Sequence, residues 1–132
     1  SNSKKKSFSD KILNTIKSGR KIYLFKDVFY TPIYAKFLFT YIFKLIEAKK
    51  CGIFNISSNE IITKYEFGLK LCKIFSLNKK LINPGYLKKR KDLVIRPLNM
   101  SLNNAKLKKV LKIKVPSINN QLKIMKREYK LN

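Results

Sequence analysis

The 132-residue chain has no histidine, no tryptophan, two cysteines, four glycines and only seven acidic residues. Two cysteines without histidine do not supply the ligands of a zinc site, so we predict no metal. Cys51 and Cys72 both lie near or within apolar runs. We therefore expect reduced, packed thiols in a cytoplasmic protein. The apolar run over residues 37–46 contains Lys44 and is too short to span a bilayer, so we expect no membrane partner.

The scarcity of acidic residues leaves a large positive charge, because 31 Lys and Arg give a formal net charge of +24. Such a surface attracts nucleic acid, acidic lipid and phosphorylated metabolites alike. Only four of these cations are arginine, the residue that bidentate recognition of bases and phosphates favours (Arg20, Arg90, Arg96 and Arg127). The chain is also rich in Ile, Asn, Phe and Tyr, so we interpret much of the lysine as the composition of an AT-rich genome. No helix-turn-helix, RRM or zinc signature is present, and a basic nucleic-acid-binding module is only the alternative.

The length and the hydrophobic content of 45% predict one domain, or a piece of one, with a modest core. Apolar periodicity predicts an α/β fold class, described more closely as an α+β-like fragment with helices and two to four short strands. Five helices are predicted. The first two cover 4–19 and 35–49, and the third begins at the capping box of Thr63 and Glu66. The fourth ends at Lys112 after a cap at Asn103 or Asn104, and the fifth begins at 116–117. The predicted strands are 21–25 and 53–56, with an extended piece over 29–34, and 83–85 is predicted to be a turn.

The order of the elements and one basic segment both bear on possible partners. Short strands separated by helices need partner strands to cover their edges, which indicates a chain that completes another segment. The segment 86–95 is strongly basic, with four cations at 88–91. We interpret it as a solvated loop, although it also has the charge to attract a dianionic ligand.

Three segments, in the same order and spacing, resemble one family. They are 27–38 (DVFYTPIYAKFL), 52–71 (GIFNISSNEIITKYEFGLKL) and 96–111 (RPLNMSLNNAKLKKVL). They resemble the carboxyl-terminal half of extended short-chain dehydrogenases of the dTDP-4-dehydrorhamnose reductase type, in the epimerase/dehydratase superfamily. The sequence departs from that pattern at Phe37, where the family has Asp. The resemblance implies a substrate-binding lobe over 8–132 that follows a basic tail or tag remnant over 1–7, with the Rossmann half missing.

The resemblance also implies site residues. Arg96 would contact the diphosphate of a nucleotide sugar, because a guanidinium bridges two phosphate oxygens. By the same resemblance a crevice beside the substrate is lined by Thr31, Pro32 and Tyr34. Asn99 and Ser101 are the remaining candidates, as hydrogen-bonding partners of sugar or phosphate.

The catalytic and cofactor motifs of the family are absent from these 132 residues. The family binds NAD(P) through a G-x-G-x-x-G turn and moves a proton with a Tyr-x-x-x-Lys pair, and neither occurs here. We therefore expect no catalytic or cofactor-binding residue in the fragment, which would be inactive alone, and NAD(P) in the full-length parent.

The expected partners follow from the resemblance. They are a nucleotide-diphosphate sugar, the missing amino-terminal Rossmann half and a second copy, bound through exposed strand edges or through the helix face at 37–46. A non-catalytic regulatory subunit on the same fold is a further alternative.

Overall fold

The computed structural model of the chain describes residues 7–91 and 97–129. Within these ranges it has five α-helices and five short strands, which confirms the predicted class with one strand more than the expected two to four. In chain order they are α1 (Phe8–Lys17), β1 (Ile22–Phe25), β2 (Phe29–Tyr30), α2 (Ala35–Glu47), β3 (Ile62–Thr63), α3 (Lys64–Phe75), β4 (Ile82–Gly85), β5 (Asn99–Met100), α4 (Ala105–Leu111) and α5 (Ile118–Tyr129). Two 3-10 turns lie at Lys79–Leu81 and Leu87–Lys89. No helix in the described ranges is long and apolar enough to cross a membrane.

The chain forms two compact units. Unit 1 combines Ser1–Val28 with Thr63–Leu98, and unit 2 combines Phe29–Ile62 with Asn99–Asn132. In unit 1, β1 and β4 pair in parallel, with Ile22 opposite Ile82. Helix α3 packs on both strands and on α1. A parallel pair this short depends on the helices that cover it for its stability.

The two helices of unit 1 begin at matching caps. The Ser7 hydroxyl accepts from the amide of Asp10, and the Asp10 carboxylate accepts from the amide of Ser7. Thr63 and Glu66 make the same reciprocal pair at the start of α3, which confirms the predicted capping box. Each box satisfies amides that have no partner within the helix.

The prediction of a turn at 83–85 is wrong, because these residues belong to β4. Asn-Pro-Gly is a strong turn signal, but Pro84 lies opposite Leu24 in the parallel pair. The amide of Lys26 donates to the carbonyl of Gly85 at 2.8 Å, so residue 85 directs its main-chain groups towards β1. Alternation along a strand then turns residue 84 away from β1, and proline is tolerated there because no amide is needed.

The expectations for 53–56 and for Cys51 are also corrected. The structure places no strand at 53–56, since no main-chain partner lies beside it in the described ranges. Phe54 and Ile56 nevertheless pack against the core of unit 2. Cys51 is exposed rather than packed, because it lies in a turn between Lys49 and Gly52, both at positive φ. Cys72 is a buried free thiol, as expected.

Unit 2 is built on β2, whose residues Phe29 and Tyr30 pair in parallel with Asn99 and Met100 of β5. The three-stranded order is β3-β2-β5. One core cluster of the unit contains Tyr41 and Leu45 of α2, Leu107 of α4 and Val115. As predicted, α5 turns its apolar positions inward, namely Ile118, Leu122 and Met125.

Gly68 packs closely against the strands of unit 1, which leads to a first prediction. A Cβ at this position would overlap Cδ1 of the buried Leu24 and lie 3.1 Å from Cδ1 of Ile82. We expect Gly68→Ala to lower the free energy of unfolding by about 1–3 kcal/mol, although alanine is the better helix former. Urea unfolding followed by circular dichroism measures the change. The control is Gly85→Ala, where a Cβ makes only ordinary contacts, and an equal loss there would contradict the packing argument.

Candidate functional site

The predicted substrate residues of unit 2 are grouped by the pairing of β2 with β5. Asn99 lies opposite Phe29, so the chain after each strand continues side by side. Thr31, directly after β2, is buried, and its Oγ1 accepts from the amide of Leu102 at 3.2 Å. This hydrogen bond uses a lone pair of the hydroxyl and leaves its proton to donate. Thr31 and the 99–102 segment therefore form one polar strip.

Internal hydrogen bonds hold the backbone of 31–34. The Ser58 hydroxyl donates to the carbonyl of Pro32. The amide of Tyr34 donates to Oε1 of Gln121 at 2.9 Å. Gln121 Nε2 donates in turn to Ser58 Oγ and to the carbonyl of Pro116, both at 2.8 Å. The segment before α2 is thus tied to α5 and to the loop at 57–58 through one side chain that is only 2% exposed.

The side chain of Tyr34 is held at the other end of α5. Its hydroxyl donates to the carboxylate of Glu128, and the Lys36 ammonium binds the other carboxylate oxygen at 2.5 Å. The hydrogen bonds from Lys36 and then from Tyr34 lower the pKa of Glu128. Tyr34 is therefore engaged inside unit 2, which makes it an anchor for the start of α2 as well as a candidate contact.

Asn99 and Ser101 form a local turn. Oδ1 of Asn99 accepts from the amide of Ser101 at 3.0 Å and from its hydroxyl at 2.6 Å. The side-chain oxygen of Asn99 carries both bonds, and the residue is exposed, so its amide hydrogens remain available to a further acceptor. The strip therefore offers two kinds of donor, the Thr31 hydroxyl and the Asn99 amide.

A second set of polar side chains in unit 2 joins neighbouring loops and helix ends by hydrogen bonds. Asn104 Nδ2 donates to the carbonyl of Ser57 at 2.8 Å and to Oδ1 of Asn59 at 2.9 Å. The cap of α4 was predicted at Asn103 or Asn104. It is Asn103 whose Oδ1 accepts from the amide of Ala105, while the Asn104 side chain turns inward. Glu60 accepts from the amide of Ile118 at 2.8 Å and so caps α5 from a distant loop.

Sequence reasoning named the buried Thr31 but missed the buried hydrogen-bonding roles of other polar residues of unit 2. Four are important here, namely Ser57, Ser58, Asn104 and Gln121. Only Gln121 carried a signal, since its spacing from Ile118 and Leu122 places it within the apolar face of α5. The main site candidate, Arg96, lies outside the described residues, and its role stays a prediction.

The basic segment at 88–91 belongs to unit 1 and is exposed. Asp27 holds its start, since the carboxylate accepts from the amides of Leu87 at 2.8 Å and Lys88 at 3.1 Å. Burial raises the pKa of Asp27, but these amide hydrogen bonds outweigh it and the net shift is downward. The contacts agree with a solvated loop fixed at one end.

Two phenols of unit 2 are shielded from ionisation. Burial raises the pKa of Tyr30 and Tyr41, which keeps both phenols neutral. No group of three His, Cys, Asp or Glu that could hold a metal occurs within the described ranges. The Thr31–Asn99 strip presents donors on a fixed backbone, which is the chemistry of a surface that binds polar or anionic ligands.

The fold is that of a mixed α/β lobe. The chain matches the family described as RmlD substrate binding domain over residues 2–131, and it belongs to that family. This confirms the resemblance that the three sequence segments indicated. No curated protein sequence matches the chain.

Solved structures share the fold at low identity. The chain is similar to a dTDP-4-dehydrorhamnose reductase from Bacillus anthracis in complex with NADP (TM-score 0.85, 19% identity, 95% of this chain and 44% of that one). It is also similar to a dTDP-4-dehydrorhamnose reductase from Clostridium acetobutylicum (TM-score 0.82, 18% identity, 95% of this chain and 44% of that one). A third similar structure is the dTDP-4-dehydrorhamnose reductase from Yersinia enterocolitica (TM-score 0.77, 18% identity, 92% of this chain and 42% of that one). The chain thus spans under half the length of the reductases that it matches.

The hydrogen bonds of Gln121 give a second prediction. Gln121→Met keeps the side-chain volume but removes the partners of the Tyr34 amide and the Ser58 hydroxyl. We expect the free energy of unfolding to fall by about 2–3 kcal/mol, because buried polar groups lose their bonds. Urea unfolding measures the loss. Asn120→Met, at the exposed neighbouring position, should change stability little, and equal losses in the two variants would exclude the buried bonds as the cause.

The ion pair at Glu128 gives a third prediction. Its pKa is lower in the folded chain than the ordinary value of about 4.3. Its stabilising contribution is therefore complete above that value and is lost as the pH falls through the lower, folded pKa. We expect Glu128→Gln to flatten the acid side of the Tm–pH profile. Glu47→Gln removes an equal charge from the exposed end of α2 and should leave the slope unchanged; a slope that Glu128→Gln also leaves unchanged would contradict the assignment.

Proposed function

We propose that this chain is the substrate-binding part of an NAD(P)-dependent nucleotide-sugar reductase of the dTDP-4-dehydrorhamnose type. The observation that carries the proposal is the family match over nearly the whole chain. The similarity to solved reductases supports the same fold for the lobe. Neither gives support to the alternative of a nucleic-acid-binding module.

The chemistry of the strip fits such a ligand. A nucleotide-diphosphate sugar presents phosphate oxygens and hydroxyls, which accept from the Thr31 hydroxyl and the Asn99 amide. The carbonyl of Pro32 and the amide of Tyr34 are already bonded within unit 2. These two residues would therefore shape the crevice rather than bond the ligand through their main chain. Arg96 would add the fork-like contact with the diphosphate.

The residues of this chain do not fit a dinucleotide. None of its four glycines forms G-x-G-x-x-G, and no Tyr-x-x-x-Lys pair is present. NAD(P) would then be held by a nucleotide-binding part of the parent protein, which would be the first partner of this lobe. The hydride transfer would belong to that part, and the lobe would bind and orient the sugar. The two free thiols agree with a protein that functions in the cytoplasm.

The experiment is a comparison of nucleotide diphosphates on the intact chain. We expect dTDP to raise the Tm and to bind more tightly than UDP or GDP in calorimetry. Arg96→Ala should weaken dTDP binding roughly 10- to 100-fold, because a charge-assisted, bidentate contact is lost.

The control for this experiment is Lys91→Ala, which removes a cation from the neighbouring basic segment. It should weaken binding only slightly and in a salt-dependent way. Equal losses of dTDP affinity in the variants at residues 91 and 96 would indicate general attraction by charge. The proposed function would be contradicted if the chain bound none of the three nucleotides.

A further inference from the structure

Helix α2 carries large apolar side chains on its solvent side. Phe39, Phe43 and Ile46 are 56%, 62% and 64% exposed. Their spacing of four and then three residues places them on one face. The opposite face carries Tyr41 and Leu45, which are buried in the core of unit 2. We call these three exposed residues the outer stripe.

The charges around the outer stripe are mainly positive. Lys44 lies on the same helix, and Lys49 and Lys50 follow its end, all of them exposed. Glu47 is the single acidic residue of α2. The charge of Lys36 is partly neutralised by its ion pair with Glu128. The stripe is therefore a small apolar surface with a cationic border at its carboxyl end.

This surface is poorly suited to a second copy of the chain. Two copies that each carry +24 repel one another. A stable protein interface also needs roughly 20–30 residues a side, whereas the stripe has three large side chains and is flanked by Thr40 and Glu47. An anionic bilayer requires less, because a few inserted apolar side chains act together with lysines near the headgroups.

We propose that the outer stripe docks onto an anionic phospholipid surface. Phe39, Phe43 and Ile46 enter the boundary between headgroups and acyl chains, and the lysines beyond the helix end bind the headgroups. The helix lies in the plane of the surface and does not span it. This replaces the expectation that the chain has no membrane partner, and it is independent of the proposed sugar-nucleotide function.

A tryptophan at the stripe reports docking directly, because the chain contains none. In Phe43→Trp, we expect the emission to shift to the blue with phosphatidylcholine vesicles that contain phosphatidylserine. Pure phosphatidylcholine vesicles should give no shift, and added salt should weaken binding to the mixed vesicles. Binding that is equal on both kinds of vesicle would exclude the role of the lysines.

A matched pair of variants separates the stripe from general charge. Phe43→Ser should lower vesicle partitioning about tenfold, because part of a phenylalanine side chain no longer enters the bilayer. Tyr23→Ser removes an aromatic that is 70% exposed, in unit 1, and should leave partitioning unchanged. Both positions are at the surface, and unchanged circular dichroism and Tm verify that the variants fold.

Three further results would overturn the proposal. The first is equal partitioning of Phe43→Ser and the unchanged chain, which would mean adsorption by charge alone. The second is the absence of binding to either vesicle. The third is a dimer in sedimentation that Phe43→Ser converts to monomer, since a second copy would then be the occupant of the stripe.

Discussion

The hydrogen bonds of one buried side-chain amide, that of Gln121, hold separate segments of unit 2 together. Gln121 lies within the apolar face of α5, where an unpaired amide would be costly. Its oxygen and nitrogen bind Tyr34, Ser58 and the carbonyl of Pro116. Helix α5, the start of α2 and the loop at 57–58 are far apart in the sequence, and this side chain fixes them together. The backbone at 31–34 has one bonded arrangement as a result.

That constraint determines which groups are left for a ligand. The polar groups of Pro32 and Tyr34 are bonded internally, as is the side-chain oxygen of Asn99. The Thr31 hydroxyl proton and the Asn99 amide hydrogens are the donors that remain on this strip. A binding surface whose backbone is already fixed loses less entropy when it takes a ligand. The lobe therefore presents its donors from a backbone that internal hydrogen bonds hold in place.

Five of the seven acidic residues stabilise the fold of this basic chain. Asp10 and Glu66 cap α1 and α3, Glu60 caps α5, Asp27 holds the amides at 87–88, and Glu128 pairs with Lys36. Four of these carboxylates, those of Asp10, Asp27, Glu60 and Glu66, satisfy amides that would otherwise lack partners. Some lysines are bonded as well, since Lys106 donates to the carbonyl of Ile53 and Lys108 donates to Oδ1 of Asn59. The lysines around the end of α2 are of interest only because of the apolar stripe beside them.

Local signals were the part of the fold that could be predicted. The capping box at Thr63 and the inward face of α5 follow from residues within one or two helical turns. The strand at Pro84 could not be predicted, because Asn-Pro-Gly indicates a turn until β1 supplies a partner. The segment 53–56 has strand composition but no paired neighbour in the described ranges, since a strand is defined by a second chain segment rather than by its own residues.

The sequence by itself determined the helices, the capping box of α3, the α/β class and the family, because each depends on short-range patterns or on motifs in register. It also named Thr31, Pro32, Tyr34, Asn99 and Ser101 as candidates. Only the tertiary structure decided which of their atoms are already bonded and which still offer donors. It also decided that Gln121 is the joining residue and that the aromatic face of α2 extends to the solvent. These outcomes depend on contacts between residues up to 94 positions apart, which no local pattern specifies.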